Sequence, residues 1–287
     1  MDRFRMAGTS LHRRCGHHER GGAFKLRGAT NAVASLTQDE AARGGGDTRR
    51  ETTPHGAGDR GRATGHRSDD RDAGRRAGDR RAAVEGYGAR IVSCGPTLAD
   101  REGTLADVVA KSEVPRWCDP YDDARIVAGQ ATAAIRLFRA SARELDVVIA
   151  PIGVAGCSRG TVLAAKFFSP GTRVIGAEPA LADDAAESLR LGERQPQRPP
   201  RTVADGLRTA IGAIPFEVLR THDVEVRTVS EEDIVRAMRT TWERAKLPIE
   251  ASSAVAVAVA IDGGFASARV GVVLSGGNVD LTRLPWQ

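Results

Sequence analysis

Lysine is scarce in this chain, and large apolar side chains vanish from one long stretch of it. Only four of the 42 basic residues are lysine: Lys25, Lys111, Lys166 and Lys246. Between Arg43 and Arg81 there is no Val, Ile, Leu, Met, Phe, Tyr or Trp. Burial cannot offset the entropy of ordering such a segment, so residues 43–81 are expected to be disordered or poorly formed. No apolar run reaches the length that spans a bilayer, and the first twenty residues lack a signal peptide's apolar stretch. No membrane partner and a cytoplasmic location are therefore expected. The four cysteines (Cys15, Cys94, Cys118 and Cys157) are widely spaced and form no CxxC pair. Neither a zinc site nor a disulfide framework is expected, only reduced thiols.

Aromatics make up 4% of the chain, which bears on its positive charge. Residues 1–20 carry five Arg against two acids, and residues 43–81 carry eleven Arg against seven, while the net charge of the whole is +5. The basic character thus belongs to two segments, and the rest is mildly acidic. Almost no aromatic rings accompany those arginines to stack bases, so no nucleic-acid partner is expected.

From Glu85 onward the pattern is regular. "YGARIVSC" alternates as a short strand, and "DDARIVAGQATAAIRLFRASARE" has helical spacing, with Ile126, Ala134, Leu137 and Phe138 towards one side. "DVVIAPIG" is a continuous apolar run of strand length, as in a sheet buried on both faces. A glycine-containing turn, the helical "GTVLAAKFF" and the strand in "SPGTRVIGAEP" complete a βαβ unit. "SEED" at Ser230–Asp233 is a capping box opening another helix, and "VGVVLSGGNVDL" is a late strand running into glycines. The fold class is α/β with a mostly parallel sheet.

Three segments can carry chemistry. In "GGAFKLRGATNA", Lys25 lies between Phe24 and Leu26. It is either a solvated side chain or a partly enclosed amine able to attack an aldehyde. In "PIGVAGCSRGT", glycines between a strand and a helix are either a plain turn or an anion cradle of converging N–H groups. In "LSGGNVD", Ser275 ends a strand, where ligands of open α/β sheets bind.

These segments, with "SPGTRVIGAEPALADDA", "TVADGLRT", "TVSEEDI" and "VLSGGNVDLTRLPW", resemble the serine/threonine ammonia-lyase and serine racemase group. That group belongs to the tryptophan synthase β-like, fold type II pyridoxal-phosphate enzymes. The resemblance spans about residues 17–42 and 82–287, and nothing preceding Gly16 matches the family's opening strands. It implies two three-layer α/β domains: a large one from residues 1–44 plus 125–287, and a small one from 45–124. It implies that Lys25 binds pyridoxal 5'-phosphate covalently and moves the substrate α-proton. Gly153, Val154, Ala155, Gly156 and Cys157 would hold the phosphate, Ser275 the ring nitrogen, and Glu250 would lie beside the ring. Glu178, the Ala182 carbonyl and Asp184 match a site for Mg²⁺, Mn²⁺ or Ca²⁺; read alone, the two acids could equally form a solvated turn. A homodimer acting on a small amino acid is implied. The pattern closes at Trp286-Gln287, so the regulatory domain of biosynthetic threonine deaminases is not expected.

Several positions depart from the family pattern. The phosphate loop reads "GVAGC", where four glycines and a large apolar residue are usual. Arg159 stands where a small or apolar residue is common, Ala131 where glycine is usual and Ala251 where proline is usual.

The family's "SSGNHA" loop, which supplies an Asn to the cofactor and a Ser acid/base, is absent. Its place falls in Asp47–Pro54. Codons for that stretch, read from the third base, permit His-Ser-Ser-Gly-Asn-His-Ala. Codons for Asp69–Gly78, read from the second base, permit Thr-Ile-Val-Met-Pro, a strand the family has there. Residues 43–81 are therefore expected to be an out-of-frame translation. The expected reaction is dehydration and deamination of L-serine or L-threonine to a 2-oxo acid and ammonia, impaired in this chain. The alternatives are a serine/aspartate racemase and an inactive product of a damaged gene.

Overall fold

The structure, a computed structural model, describes residues 3–6, 9–16, 21–39, 45–46, 63–67, 90–94, 123–141, 144–153, 156–196, 199–265 and 267–287, with a few positions between 100 and 110. The chain divides into two compact units, Met1–Phe24 with Gln130–Gln287, and Lys25–Gly129.

The first unit is built on a six-stranded sheet in the order β1-β2-β9-β6-β7-β8. Its strands are β1 Arg3–Met6, β2 Thr9–Cys15, β6 Val147–Pro151, β7 Arg173–Pro179, β8 Glu225–Val229 and β9 Arg269–Leu274. Only β1 runs antiparallel to its neighbour. The strands expected at "DVVIAPIG", "SPGTRVIGAEP" and "VGVVLSGG" are β6, β7 and β9. They read as apolar runs because helices cover both faces. Val147 and Ile149 pack into one cluster with Ile175, Val270 and Val272, while Val148 and Ala150 pack into another with Leu137, Leu145 and Val273. Burying each such side chain is worth roughly 1.5–3 kcal/mol.

β1 and β2 give the residues before Gly16, which carry no motif matching the family's opening strands, a place in the sheet. β2 pairs in parallel with β9 from Ser10–Arg269 to Cys15–Leu274. A ladder is made by main-chain N–H and C=O groups, so arginines along β2 do not prevent it.

Helix α2, Ala124–Ala140, begins in the second unit and continues into the first. The first unit also holds α3 Gly156–Phe168, α4 Asp184–Leu191, a 3₁₀ turn Asp205–Leu207, α5 Ala213–Thr221, α6 Glu231–Ala245 and α7 Ala251–Asp262. The N-cap of the expected capping box forms: Ser230 Oγ accepts from Asp233 N at 3.1 Å and donates to Asp233 Oδ2 at 2.8 Å. At Ala131 the backbone of α2 approaches α3 closely at Gly160, where a Cβ would lie 2.8 Å from Ala131 N.

The second unit contains α1 Lys25–Ala34 and a parallel three-stranded sheet of β3 Gly45–Gly46, β4 Ala63–Arg67 and β5 Arg90–Ser93. Thus two short strands do form within residues 43–81, again through main-chain pairing. All of Asp47–Gly61, and Asp69–Gly78 with it, lies outside the described residues. Among the described residues no helix is long and apolar enough to cross a membrane.

Candidate functional site

The site is built at the carboxyl ends of β6 and β9, neighbours in the sheet. Gly153 follows β6, and the 3₁₀ turn packs on it: a Cβ there would lie 3.2 Å from both Gly206 O and Leu207 Cα. Val154 and Ala155 lie outside the described residues. Gly156 opens α3, and a Cβ on it would meet nothing within 4 Å. Open space therefore adjoins the first turn of a thirteen-residue helix, whose N-terminal N–H groups and positive end suit an anion. Cys157 could offer an anion only its backbone. Its side chain is buried with Leu137 and Val273, and that burial pushes the thiol up to about 12, against a smaller opposing effect from Thr161. Arg159, one turn into α3, is also buried.

The end of β9 is tied to the residues just ahead of Lys25. Phe24 N donates to Ser275 O at 2.8 Å, Ala23 and Gly276 form an antiparallel bridge, and Gly277 N donates to Gly22 O at 3.0 Å. Gly22 has φ +74°, and a side chain on it would collide with Asn278, whose Nδ2 donates to Gly21 O at 2.9 Å. The paired glycines before "AFK" are thus required by backbone geometry. Lys25 follows Phe24 in the chain as the first residue of α1 and is half-buried.

Ser275 is buried, 4% exposed, at the end of β9. Helix α7 points its first turn at this place. Glu250 precedes α7, and its N donates to Gly276 O at 3.1 Å. Its carboxylate lies over Gly276: a Cβ on that glycine would be 2.6 Å from Glu250 Cδ. Ala251 is the first helical residue, where proline is favoured but not needed because no N–H partner is required. Gly276→Ala should therefore displace Glu250 and, if pyridoxal phosphate binds beside Glu250 as the family resemblance implies, weaken that binding about tenfold or more, by analogy with the roughly 1–3 kcal/mol cost of overpacking. A fluorescence titration with pyridoxal phosphate would measure this.

Two residues that sequence reasoning missed stitch the site together. Ser252 Oγ accepts from Gly206 N at 3.0 Å, fixing the 3₁₀ turn that backs Gly153. Ser253 Oγ donates to Gly276 O and accepts from Gly276 N, each at 2.7 Å, and lies 3.1 Å from Ser275 Oγ. The available signal was the pair of serines in a helix otherwise made of Ala, Val and Ile with one closing Asp.

Glu178 and Asp184 form a separate buried pair. Glu178 Oε1 accepts from Ala185 N at 3.0 Å and Oε2 from Ala186 N at 2.8 Å, in the first turn of α4. Asp184 Oδ2 accepts from Ile211 N at 2.7 Å. Burial pushes the Glu178 carboxyl up to about 8; the two α4 amides pull it back, and Asp184 and Asp183 push it further. Two buried carboxylates that disfavour each other's charge suit a divalent cation. Among the described residues no three His, Cys, Asp or Glu side chains cluster, so a main-chain oxygen such as that of Ala182 is needed to extend the set.

A parallel α/β sheet with a helix start facing open space at one strand end, and a buried hydroxyl at the next, defines a ligand-binding α/β protein whose site lies at the strands' carboxyl ends. The chain belongs to the pyridoxal-phosphate-dependent enzyme family, which matches residues 4–276. It is 37% identical over 290 residues to the beta-hydroxyaspartate dehydratase of Paracoccus denitrificans (strain Pd 1222), covering 98% of this chain and 89% of that protein. The crystal structure of serine racemase from Dictyostelium discoideum superposes with a TM-score of 0.86 at 32% identity, covering 96% of this chain and 89% of that one. The crystal structure of a threonine deaminase from T.th. superposes with a TM-score of 0.83 at 30% identity, with the same coverage of 96% and 89%. The family therefore includes dehydratases, deaminases and racemases, and its enzymes use pyridoxal phosphate.

Proposed function

We propose that this chain dehydrates and deaminates L-serine or L-threonine to a 2-oxo acid and ammonia, with pyridoxal phosphate held at the ends of β6 and β9. The observation that carries this reading is the main-chain pairing of Ala23 and Phe24 with the Ser275–Gly276 turn. Lys25 is the next residue in the chain after this paired segment.

When bound, the cofactor supplies an aldehyde for an amine and an electron-withdrawing ring that acidifies the α-hydrogen of an attached amino acid. Lys25 Nζ would hold the cofactor and would take the α-proton in the dehydration, or return it in a racemisation. Gly153, Gly156 and Cys157, with Val154 and Ala155 between them, bind the phosphate through backbone N–H groups. Ser275 hydrogen-bonds the ring nitrogen, and Glu250 flanks the ring. Glu178, Asp184 and the Ala182 carbonyl hold a divalent cation that ties β7 to α4. The working unit is a homodimer. Residues 43–81 do not supply the acid/base loop in readable form, so turnover is far below that of an intact relative.

A second reading is racemisation of serine or aspartate. It is favoured by the racemase relatives, because both reactions begin with removal of the same proton. The test is to purify the chain with pyridoxal phosphate, then follow 2-oxo acid release and enantiomer composition with L-serine, L-threonine and β-hydroxyaspartate. The proposal expects slow 2-oxo acid release. Enantiomer exchange without release would replace it with the second reading, and neither product would mark the chain as inactive.

A further inference from the structure

The opening turn of α7 reaches both strand ends of the candidate site. At the end of β9, Glu250 N donates to Gly276 O at 3.1 Å, and Ser253 Oγ donates to Gly276 O and accepts from Gly276 N, each at 2.7 Å. Towards the end of β6, Ser252 Oγ accepts from Gly206 N at 3.0 Å, across 46 residues of chain. Gly206 lies in the 3₁₀ turn Asp205–Leu207, and Gly153 rests on that turn: a Cβ on Gly153 would lie 3.2 Å from Gly206 O, Leu207 Cα and Leu207 Cδ2. Ala204 and Leu207 anchor the turn by packing into the core. Apolar packing is non-directional, so it sets how deep the turn sits and not which way the Gly206 peptide points. The Ser252 hydrogen bond supplies the direction. Ser252 is 2% exposed, so no water stands ready to replace its oxygen. A Cβ on Gly206 would come 2.9 Å from that oxygen, so the glycine and the serine fit as a pair.

We propose that Ser252 is a positioning residue for the phosphate end of the cofactor site: it holds Gly206, Gly206 backs Gly153, and Gly153 begins the loop that leads into α3. The inference rests on the reading that this loop binds the cofactor phosphate. The contacts of α7 with the turn after β9 run through Glu250 and Ser253, not through Ser252. Loss of the Ser252 hydroxyl therefore loosens the phosphate end and leaves the ring end in place. The Gly206 N–H is left without its acceptor, and the turn shifts to find another. The backbone N–H groups that follow Gly153 then meet the phosphate less well, while the aldehyde still reaches Lys25.

The test uses the full chain and two ligands. One is pyridoxal 5'-phosphate; the other is 5'-deoxypyridoxal, which keeps the aldehyde and the ring but lacks the phosphate arm. Each is titrated into wild type and variants, and the visible band of lysine-bound ligand gives its affinity. The wild type is expected to bind the phosphorylated ligand more tightly. Ser252→Ala should weaken that ligand about tenfold, the scale of one buried donor left without an acceptor, and leave deoxypyridoxal binding where it was. The ³¹P signal of the bound cofactor should move towards its position in free solution. Ser252→Cys, whose sulfur accepts more weakly, should show a smaller loss with the same selectivity, and it decides the matter if the alanine variant does not fold. Losses that do not single out the phosphorylated ligand, or no loss at all, overturn this inference alone. A wild type in which neither ligand attaches to Lys25 overturns the proposed function and this inference with it.

Discussion

Replacing Lys25 with alanine should abolish the visible absorption band of lysine-bound cofactor and lower 2-oxo acid release by at least about 10²–10⁴-fold, the usual contribution of a positioned proton-transfer group. The expectation is specific to this lysine. Lys166 lies in the last turn of α3 with an exposed side chain, and Lys246 caps α6 in the left-handed region at φ 55°. Neither adjoins the end of β6 or β9 in the chain. Among the described lysines, Lys25 alone follows a segment that is hydrogen-bonded to Ser275 and shaped by a glycine at positive φ, and Lys111 lies outside the described residues. Absorbance spectra of the four single alanine variants, each mixed with pyridoxal phosphate, check this. A band that survives Lys25→Ala but disappears with another lysine would move the site elsewhere.

Glu178 should make stability depend on pH and on divalent cations. Its folded-state proton affinity is raised from 4.5 to about 8, chiefly by burial. Between those values the folded protein holds a proton that the unfolded chain has released. Stability without cation should therefore fall as pH rises through that window. A bound cation favours the ionised carboxylate and reverses the slope. Thermal melts with Mg²⁺, Mn²⁺ or Ca²⁺ should show a gain of several degrees at the top of the window and little at the bottom. Glu178→Gln should flatten both the pH slope and the cation effect. A cation gain that persists in Glu178→Gln would remove Glu178 from the site.

The parallel core was legible because its residues solve a local problem. β6, β7 and β9 are buried on both faces, so each reads as an unbroken apolar run, and the glycines after β6 and β9 mark where the chain turns at the sheet's edge. Helix α7 was not legible: it is apolar on every side because it is buried between β-sheet and α6, and no 3.6-residue stripe survives in "ASSAVAVAVAID". β1 and β2 were hidden by arginines that main-chain pairing ignores. Lys25, Ser275 and Glu250 could be named because short motifs carry them. Ser252 and Ser253 could not, because their partners lie 46 and 22–23 residues away and only the packed helix brings them together.

The central claim is that Lys25 is the residue that holds pyridoxal phosphate, and the scarcity of lysine makes it directly testable. Borohydride reduction of the loaded protein fixes the cofactor to its lysine, and peptide mass mapping then locates it. The account predicts a phosphopyridoxyl group on the arginine-bounded peptide Gly21–Arg27, which contains Lys25 as its sole lysine. A label on Lys111, Lys166 or Lys246, or on none of the four, would contradict it.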